Sequence, residues 1–295
     1  MRPEVVACLA CPYCGLGLSE VDHTLRCRNG HSFDLARQGY VTLLPAGARG
    51  AGGDDAGMVA ARADFLAAGH YAPLTTALVA AAVGAAGPGG AAGPGGAAGA
   101  GGPVDPVVGA VLDVGAGTGH HLAAVLDALP GAAGIALDAS RYAARRAARA
   151  HPRAGAVVAD AWSGLPVRTG AIDAVLDVFS PRNGAETARV LRPGGLLVVV
   201  TPGPDHLTGL VDVLGGLQVD AAKDTRLATA LEPHLRPLDR TEQRWPLILP
   251  RADAVRAVAM GPSARHLPDL AVRVAELPDP VRATASIVVT RYARD

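Results

Sequence analysis

The spacing of apolar and polar positions divides most of the chain into alternating strands and helices. Continuous runs rich in Val and Leu, without polar alternation, predict strands that are covered on both faces of a sheet. Such runs alternate with stretches long enough for short helices, which is typical of a parallel, doubly wound sheet. The predicted strands are 107–114, 134–137, 156–159, 171–179 and 196–200, and the predicted helices are 119–129, 141–150 and 185–191.

The C-terminal part predicts two more strands, 242–249 and 285–292, around a helix at 252–260. Added to the parallel strands, they complete a seven-stranded sheet whose last two strands form an antiparallel pair. We therefore predict an α/β fold with a Rossmann-like, seven-stranded sheet.

A tract made only of Gly, Ala and Pro, residues 84–103, separates this pattern from the N-terminal part. Gly raises the entropic cost of ordering and Pro interrupts helices, so the tract predicts a flexible surface linker. Before it we distinguish a cysteine-rich head, residues 1–45, and a connecting loop and helix, residues 46–83, with the helix starting near Met58. After it comes the α/β domain, residues 104–295.

Composition and charge narrow the range of functions. Apolar residues make up 49% of the chain, enough for a sizeable core, so general disorder is excluded. The sequence shows neither a basic-then-apolar leader nor an apolar run of transmembrane length outside the linker, so we expect a cytoplasmic protein without a membrane partner. The 27 basic and 27 acidic residues balance, and any nucleic-acid binding must therefore come from local clusters.

Three cysteines and a histidine in the head have the spacing of a metal site: Cys11-x2-Cys14-x12-Cys27-x3-His31. A tetrahedral zinc site needs four thiolate or imidazole ligands, and short spacings let two tight turns present two ligands each. Pro and Gly bracket the first pair, and an Asn-Gly pair lies within the second. A closed set of four ligands predicts structural rather than catalytic zinc.

The ligand set is not unique at the level of sequence. Cys8 has the same spacing to Cys11 as Cys14 has, and His23 is a second imidazole, although the turn residues favour Cys14. A disulfide or a group of buried free thiols would also account for the cysteines, and the lack of a secretion signal disfavours a disulfide. A head of this size scarcely forms a core without a metal.

The central motif is a strand that runs into a glycine loop, VLDVGAGTGHH at 111–121. Gly115, Gly117 and Gly119 allow the backbone to approach a ligand closely. The next strand ends at Asp138, whose carboxylate can accept both hydroxyls of a ribose. Strand, loop, helix and acidic strand end together predict a nucleoside-containing cofactor.

The spacing of the glycines favours S-adenosylmethionine (SAM) over a dinucleotide. A dinucleotide fingerprint needs G-x-G-x-x-G, whereas His120 occupies the position of its third glycine. Asp113 at the strand end suits a cationic amino-acid tail better than a pyrophosphate, and a P-loop is excluded because no Gly-Lys-Ser/Thr follows. We therefore predict a class I SAM-dependent methyltransferase domain, with a purely structural turn as the alternative.

Two later strand ends fit such a pocket. Asp160 can receive the adenine amino group, with a plain helix cap as the equally weighted alternative. The segment from Asp177 to Asn183 lies where substrates meet ligands in open α/β sheets. Its Phe-Ser-Pro-Arg sequence is loosely similar to the (Asp/Asn/Ser)-Pro-Pro-aromatic loop of nucleic-acid amino methyltransferases but lacks the second Pro and the aromatic residue.

Taken together, these motifs resemble the large-subunit ribosomal RNA guanine-N1 methyltransferases of the RlmA type, and in particular their actinobacterial branch linked to tylosin and mycinamicin resistance. The resemblance runs nearly end to end, with the Gly/Ala/Pro tract as an insertion. The segments that carry it are CPYC at 11–14, CRNGHSFD at 27–34, RQGYVTLLP at 37–45, GHYAPL at 69–74, DVGAGTG at 113–119, LRPGG at 191–195 and TPGPDHL at 201–207.

The resemblance implies methyl transfer from SAM to N1 of a guanine in a 23S rRNA stem-loop near the peptide exit tunnel. It also implies an RNA-recognising zinc head that uses the four ligands above, a homodimer and, as a consequence, macrolide resistance. Tyr71, the glycine loop with His120, and His206 would line the SAM site. Considered without the resemblance, His206 would more often be an ordinary loop histidine.

Guanine-N1 methylation requires in-line approach, loss of the N1 proton and a surface that holds an unpaired base. We expect Phe179 or Tyr71 to form part of that surface, with a core role as the alternative for each. Asp177 is the candidate proton acceptor, although its position within the strand could point it away.

Local clusters of arginine are the candidate RNA contacts. Arg26, Arg28 and Arg37 surround the zinc motif, and for these we favour phosphate contact. A second set, Arg141, Arg145 and Arg149, is predicted on one helical face with Arg146 and Arg153 nearby, and an ordinary solvated face is the slightly favoured interpretation there.

Three functional classes follow from these observations. The leading one is an rRNA base methyltransferase. A SAM-dependent small-molecule methyltransferase with zinc serving only the fold is the second, and a zinc-bearing binding protein with a degenerate SAM site is the third. The intact glycine loop with Asp138 argues against the third class, and the arginines of the head argue against the second.

Overall fold

The structure, a computed structural model, describes residues 1–45, 53–84, 109–210, 223–261 and 270–295. The predicted linker at 84–103 lies outside these residues apart from Gly84, and so does the beginning of the strand predicted at 107–114. The helices are α1 (Pro3–Cys8), α2 (Ala56–Ala67), α3 (Ala72–Val83), α4 (His120–Ala128), α5 (Arg141–Ala147), α6 (Gly184–Val190), α7 (Lys223–Leu231), α8 (Arg251–Ala259) and α9 (Leu270–Ala275).

The strands form two sheets. A small antiparallel sheet contains β1 (Ser19–Val21), β2 (Thr24–Arg26) and β3 (Ser32–Asp34). The large sheet has the order β10-β11-β9-β8-β5-β6-β7-β4, made of β4 (Tyr40–Thr42), β5 (Ala110–Val114), β6 (Ala133–Asp138), β7 (Ala154–Val158), β8 (Ile172–Val178), β9 (Leu191–Pro202), β10 (Arg236–Leu249) and β11 (Val281–Ala293).

The large sheet is parallel from β4 to β9, and β11 joins β9 and β10 antiparallel. This confirms the predicted doubly wound fold and its antiparallel final pair. The described part of the sheet has eight strands rather than seven, because β4 pairs with the outer edge of β7. The strand order reverses beside β5, where open α/β sheets bind their ligands.

Each face of the large sheet is covered by its own apolar cluster. Neighbouring residues of β5 show the division, since Val111 belongs to one cluster and Leu112 to the other. The first cluster includes side chains of α2, α3, α4 and α8, and the second includes those of α1, α7 and the small sheet. Strands buried on both faces therefore explain the uninterrupted apolar runs of the sequence.

The single helix predicted from Met58 to Val83 is wrong. Helices α2 and α3 are separate, with an 84° bend between them. Gly69 at the break has φ +80°, a left-handed conformation that ends a helix, and Pro73 lies in the first turn of α3, where it needs no hydrogen-bonded N–H. The turn brings α3 back across the sheet.

The length and hydropathy of the helices bear on whether the described residues could cross a membrane. No single helix there is long and apolar enough to cross a bilayer, and only the bent pair α2 and α3 meets the length and composition criteria jointly.

Candidate functional site

The four predicted metal ligands meet in one cluster. The ligand atoms of Cys11, Cys14, Cys27 and His31 all lie within 4.8 Å of one another. The Cys14 and Cys27 Sγ atoms are 3.7 Å apart, and His31 Nδ1 is 3.3 Å from Cys27 Sγ. Three thiols and one imidazole at such distances match the Cys₃His set that holds zinc tetrahedrally. The cluster is a structural zinc site.

Two tight turns present these ligands in pairs. In the first, the Gly15 N–H donates to the Cys11 carbonyl at 2.8 Å, with Gly15 at φ +71°. In the second, the Gly30 N–H donates to the Cys27 carbonyl at 3.0 Å, with Gly30 at φ +83°. The short spacings therefore work as the sequence indicates, because glycine adopts the left-handed conformation that closes each turn.

The structure decides between the two possible ligand registers. The Cys8 Sγ lies 3.4 Å from the Glu4 carbonyl oxygen and 3.7 Å from the Ala171 carbonyl oxygen, either of which can accept its S–H. Cys8 and the second imidazole, His23, are both absent from the four-residue cluster. The preference for Cys14 is therefore consistent with the geometry.

The head is not an isolated module, because it packs against the large sheet. Cys11 and Cys27 are buried and belong to the same apolar cluster as Leu112 of β5 and Val157 of β7. Backbone hydrogen bonds cross the boundary, including Ala10 N–H to the Pro166 carbonyl at 2.9 Å. The zinc site and the sheet therefore share one core.

The glycine loop between β5 and α4, which we call the cradle, has its three glycines in the left-handed conformation. Gly115, Gly117 and Gly119 have φ values of +70°, +54° and +77°. A Cβ on Gly115 would lie 2.5 Å from the Ser180 Cβ, and one on Gly119 would lie 2.8 Å from the Ala150 Cβ. Both the conformation and the space require glycine, so the loop fits a cofactor that the backbone must approach closely.

Acidic side chains border this loop. Asp138 accepts hydrogen bonds from the backbone N–H of Gly117 at 2.8 Å and of Ser140 at 2.7 Å, and each carboxylate oxygen keeps a further lone pair for a ribose hydroxyl. Burial raises the pKa of Asp138, and it raises that of Asp113 strongly, helped there by Asp177 and Asp138. Such an acidic surround favours a cationic ligand group.

Asp177 lies close to buried polar atoms of two other side chains, those of Ser180 and Arg182. It is 5% exposed and its Oδ1 is 3.7 Å from Arg182 Nε; within the part of the chain that the structure describes, neither of these atoms nor Ser180 Oγ has a hydrogen-bond partner. Burial raises the pKa of Asp177 to about 7, while Arg182 and Ser180 act in the opposite direction. Buried polar atoms without partners are rare in folded proteins and are typical of functional sites.

Asp160 forms a local turn at the end of β7. Its carboxylate accepts from the Trp162 N–H at 3.0 Å and from the Ser163 hydroxyl at 2.8 Å. These contacts close a turn, and no helix begins directly after Asp160 among the described residues, so the helix cap that the sequence left open is not formed. The Trp162 side chain at this turn is 67% exposed. The turn is tied to the β8–α6 loop by Asn183 Nδ2, which donates to the Ala161 carbonyl at 3.3 Å.

Tyr71 and His206, which the resemblance pairs in the cofactor site, are in direct contact. The Tyr71 hydroxyl lies 3.0 Å from His206 Nε2, and His206 Nδ1 lies 2.7 Å from the Ser286 carbonyl oxygen. Because a carbonyl only accepts, Nδ1 carries the proton and the Tyr71 hydroxyl donates to Nε2. Burial raises the pKa of Tyr71, so its hydroxyl stays protonated.

Phe179 packs beside Tyr71 and His206 on the side that faces solvent. Its ring centroid is 5.4 Å from that of His206, and it is 39% exposed, whereas Tyr71 is 2% exposed. Phe179 also has φ +54°, a strained conformation for an aromatic residue. Of the two aromatic rings predicted to hold a base, only that of Phe179 therefore offers a free face.

The two histidines after the loop differ in environment. His120 begins α4 and is partly exposed, and burial lowers its pKa. His121 is partly buried beside α3, where its Nδ1 is 3.1 Å from the Thr75 hydroxyl, and burial, His120 and Arg62 lower its pKa to about 3. Both imidazoles are therefore neutral at neutral pH, and His120 is the one that directly follows the glycine loop.

The arginine clusters are only partly as predicted. Arg26, Arg28 and Arg37 are exposed on the head. Helix α5 ends at Ala147, so Arg149 lies in the following turn and not on the predicted helical face. Arg153 points inward, with its guanidinium donating to the Leu126, Leu129 and Ala132 carbonyls at the end of α4.

Sequence analysis missed one residue at the cradle, Arg62. The bend after α2 folds this helix over the glycine loop, where Arg62 Nη1 lies 3.2 Å from the position that a Cβ on Gly117 would occupy. Arg62 precedes the loop by more than fifty residues and follows no glycine or acidic motif, so no local pattern in the sequence signals it.

Family models match both parts of the chain. The model described as "RlmA, N-terminal", a zinc ribbon, matches residues 9–50, and the model described as "Methyltransferase domain" matches residues 111–195. The zinc cluster and the glycine loop each lie within one of these matches.

Relatives cover nearly the whole chain. The 23S rRNA (guanine(748)-N(1))-methyltransferase of Streptomyces fradiae is 50% identical over 292 residues, 98% of each chain. A homologue from Micromonospora griseorubida named for the 23S rRNA (guanine-N(1)-) reaction is 50% identical over 298 residues, 99% of each chain. YxjB of Bacillus subtilis, named for the same reaction, is 30% identical over 226 residues, 75% of this chain and 72% of YxjB.

Proposed function

This chain belongs to the family of 23S rRNA (guanine-N(1)-)-methyltransferases, and on that premise we propose that it transfers the methyl group of SAM to N1 of a guanine in 23S rRNA. The observation that carries the proposal is the joint presence of the Cys₃His cluster and the glycine cradle, because the head that holds the first packs in the same apolar cluster as the strand that leads into the second. A catalytic pocket and a nucleic-acid module in fixed relation suit a macromolecular substrate.

The residues of the cradle each have a role in holding SAM, which when bound supplies an electrophilic sulfonium methyl group. The three glycines let the loop backbone approach the amino-acid tail and Asp138 accepts the ribose hydroxyls. Asp113 would ionise beside the ammonium group, whose positive charge offsets the burial that otherwise raises the pKa of Asp113. We place Tyr71, His120 and His206 at the wall of the same pocket and Asp160 at its adenine end. The turn contacts of Asp160 leave lone pairs for that second role.

The zinc head binds the RNA in this proposal. The zinc organises two turns, and Arg26 and Arg28 are exposed on either side of Cys27. Guanidinium groups so placed suit phosphate oxygens. Reversing both charges, Arg26→Glu with Arg28→Glu, should weaken binding of a 23S rRNA stem-loop and flatten its dependence on salt. An unchanged salt slope would show that the head does not neutralise phosphates.

The chemical step needs a held base and a proton acceptor. Phe179, strained and exposed at the end of β8, offers a ring face on which an unpaired guanine can stack. Asp177, two residues earlier, has an oxygen without a hydrogen-bond partner among the described residues and a pKa of about 7, which suits a group that takes up the N1 proton at neutral pH. Because Asp177 is buried, the N1 proton can reach its carboxylate only when the guanine lies within the site.

The experiment that tests the function is methylation of unmodified 23S rRNA. The chain is incubated with tritiated SAM and the RNA, and reverse transcription then maps the product, because N1-methylguanine blocks Watson–Crick pairing and stops the enzyme. We expect a stop at the guanine equivalent to position 748, for which the Streptomyces fradiae relative is named. SAM binding without RNA labelling would favour a small-molecule substrate instead, and absence of SAM binding would favour a degenerate site.

Three further expectations rest on the resemblance alone. We propose that the chain is a homodimer, that it acts in the cytoplasm where ribosomes are made, and that expression raises resistance to macrolides that bind the exit tunnel. Light scattering of the purified chain tests the first. The inhibitory concentration of tylosin for a sensitive host, with and without the gene, tests the last.

A further inference from the structure

Arg62 of α2 is the cation beside the glycine loop, and its guanidinium is held from two sides. Nη1 forms an ion pair with Asp54, and Nη2 donates to the Met260 carbonyl at 2.6 Å. Its side chain keeps 26% exposure, and Nη1 lies 3.2 Å from where a Cβ on Gly117 would be. The group therefore borders the cradle without being enclosed.

The segment that carries Arg62 is itself fixed to the loop that follows Asp138. The Ser140 hydroxyl donates to the Asp54 carbonyl at 2.5 Å, and a Cβ on Gly53 would lie 2.9 Å from the Ser140 nitrogen. Asp55 caps α2 by accepting from the Met58 N–H at 2.9 Å. The position of Arg62 is thus set before any ligand arrives, which lowers the entropic cost of using it.

The charges around the cradle leave one part of SAM without a partner. Asp113 and Asp138 suit the ammonium group and the ribose hydroxyls, but as carboxyl groups they offer no positive charge to the methionine carboxylate. A guanidinium is permanently charged, carries donors only and matches a carboxylate with paired hydrogen bonds. Arg62 is the described cation in contact with the central glycine of the loop.

We propose that Arg62 binds the methionine carboxylate of SAM, with Asp54 and the Met260 carbonyl holding the guanidinium in place. The proposal rests on the proposed function, in which SAM is the cofactor, and it names the residue that binds the amino-acid tail of SAM. The bend between α2 and α3 matters for this contact, because it allows α2, which precedes the linker in the chain, to lie over the glycine loop.

The competing interpretation is that Arg62 only fastens α2 to the rest of the molecule. The two roles differ in their dependence on the ligand. S-adenosylhomocysteine carries the amino-acid tail, whereas 5′-methylthioadenosine has the same nucleoside and thioether without it. Loss of a carboxylate contact affects only the first ligand, and loss of packing affects both.

Calorimetric titration of the full zinc-loaded chain with both ligands tests the proposal. In Arg62→Ala we expect the affinity for S-adenosylhomocysteine to fall roughly 10- to 100-fold, as for loss of a charge-assisted pair. The affinity for methylthioadenosine should change by less than about threefold on the same reasoning. Arg240→Ala, an exposed ion-paired arginine on β10, is the matched control and should leave both affinities unchanged.

The remaining outcomes are also decisive. Equal losses for the two ligands, or no loss for either, would overturn the carboxylate contact. Should Arg62→Ala not fold, as judged by circular dichroism, Arg62→Lys replaces it. Lysine keeps the charge without the fork, so a smaller loss confined to S-adenosylhomocysteine supports the proposal, and wild-type affinity contradicts it. A wild-type chain that binds neither ligand would instead refute the SAM site itself.

Discussion

The zinc cluster and the cofactor cradle are built in opposite ways. All four zinc ligands come from residues 11–31, and two tight turns bring them together. The cradle combines the bend before α3, the glycine loop, three further strand ends and β11. One site is local in sequence and the other is assembled by the sheet.

This difference shows where each site obtains its stability. The small sheet of the head, β1 to β3, has few buried side chains, so metal binding supplies what its core does not. The cradle keeps its shape because β5, β6 and β8 are buried on both faces. We therefore expect metal loss to unfold structure, and damage to the cradle to remove binding while structure remains.

Replacing a zinc ligand should have the largest effect. Cys27→Ser is expected to lose the bound zinc and lower the free energy of unfolding by about 4 kcal/mol or more, since zinc supplies roughly 10–16 kcal/mol in isolated modules. Elemental analysis and thermal unfolding measure this. Cys8→Ser removes a thiol outside the cluster and should keep the zinc. Full zinc content in Cys27→Ser would mean that the cluster is not the metal site.

A single methyl group in the cradle should come next. Gly115→Ala places a Cβ 2.5 Å from the Ser180 Cβ at φ +70°, so we expect at least about tenfold weaker S-adenosylhomocysteine binding and a loss of roughly 1–3 kcal/mol of stability. Gly170→Ala is matched, with φ +66° and no atom of the described residues within 4 Å of the added Cβ. It should lose stability only, and equal binding losses in the two variants would remove the steric argument.

Asp177→Asn separates a catalytic from a structural carboxylate. As proton acceptor, Asp177 should make methylation rise with pH through about 7, and the Asn variant should lose roughly 10²–10⁴-fold in rate. The pKa in the folded chain lies above the ordinary aspartate value of 3.8, so folding favours the protonated form. The stability that this form contributes is complete below about pH 4 and is lost as pH rises through 7.

The matching stability measurement uses urea unfolding between pH 4 and 8. We expect the wild-type chain to lose stability over this window and Asp177→Asn to show a flatter profile. A flatter profile with unchanged methylation would leave Asp177 as a buried structural group and exclude it as the base.

The smallest expected effect is that of Tyr71→Phe. It removes the hydroxyl that donates to His206 at 3.0 Å and keeps the ring that packs against Phe65. We expect a loss of about 0.5–1.5 kcal/mol in stability and a few-fold weaker binding of S-adenosylhomocysteine. Thermal unfolding and calorimetry measure the two. A Tyr71→Phe chain with wild-type affinity would show that the pair supports the wall without shaping it.

Of the two sites compared, the zinc site could be predicted almost completely from the sequence. The spacing and the turn residues identify the four ligands, Cys11, Cys14, Cys27 and His31, because each pair of ligands lies within one short turn of the chain. The strands of the α/β domain follow from apolar runs for a similar reason. The error at α2 and α3 came from treating an apolar, Ala-rich stretch as one helix although Gly69 and Pro73 mark a break.

The amino-acid sequence by itself determined the local chemistry: the zinc turns, the glycine loop, the acidic strand ends and the alternation of strand and helix. Tertiary structure alone decided which distant residues share the cofactor loop, that β4 of the head extends the large sheet, that Arg149 lies off the predicted helical face, and that Arg153 donates to backbone carbonyls at the end of α4. The physical reason is that turns and periodicity are encoded by neighbours, whereas the placement of Arg62 over Gly117 depends on how whole elements pack.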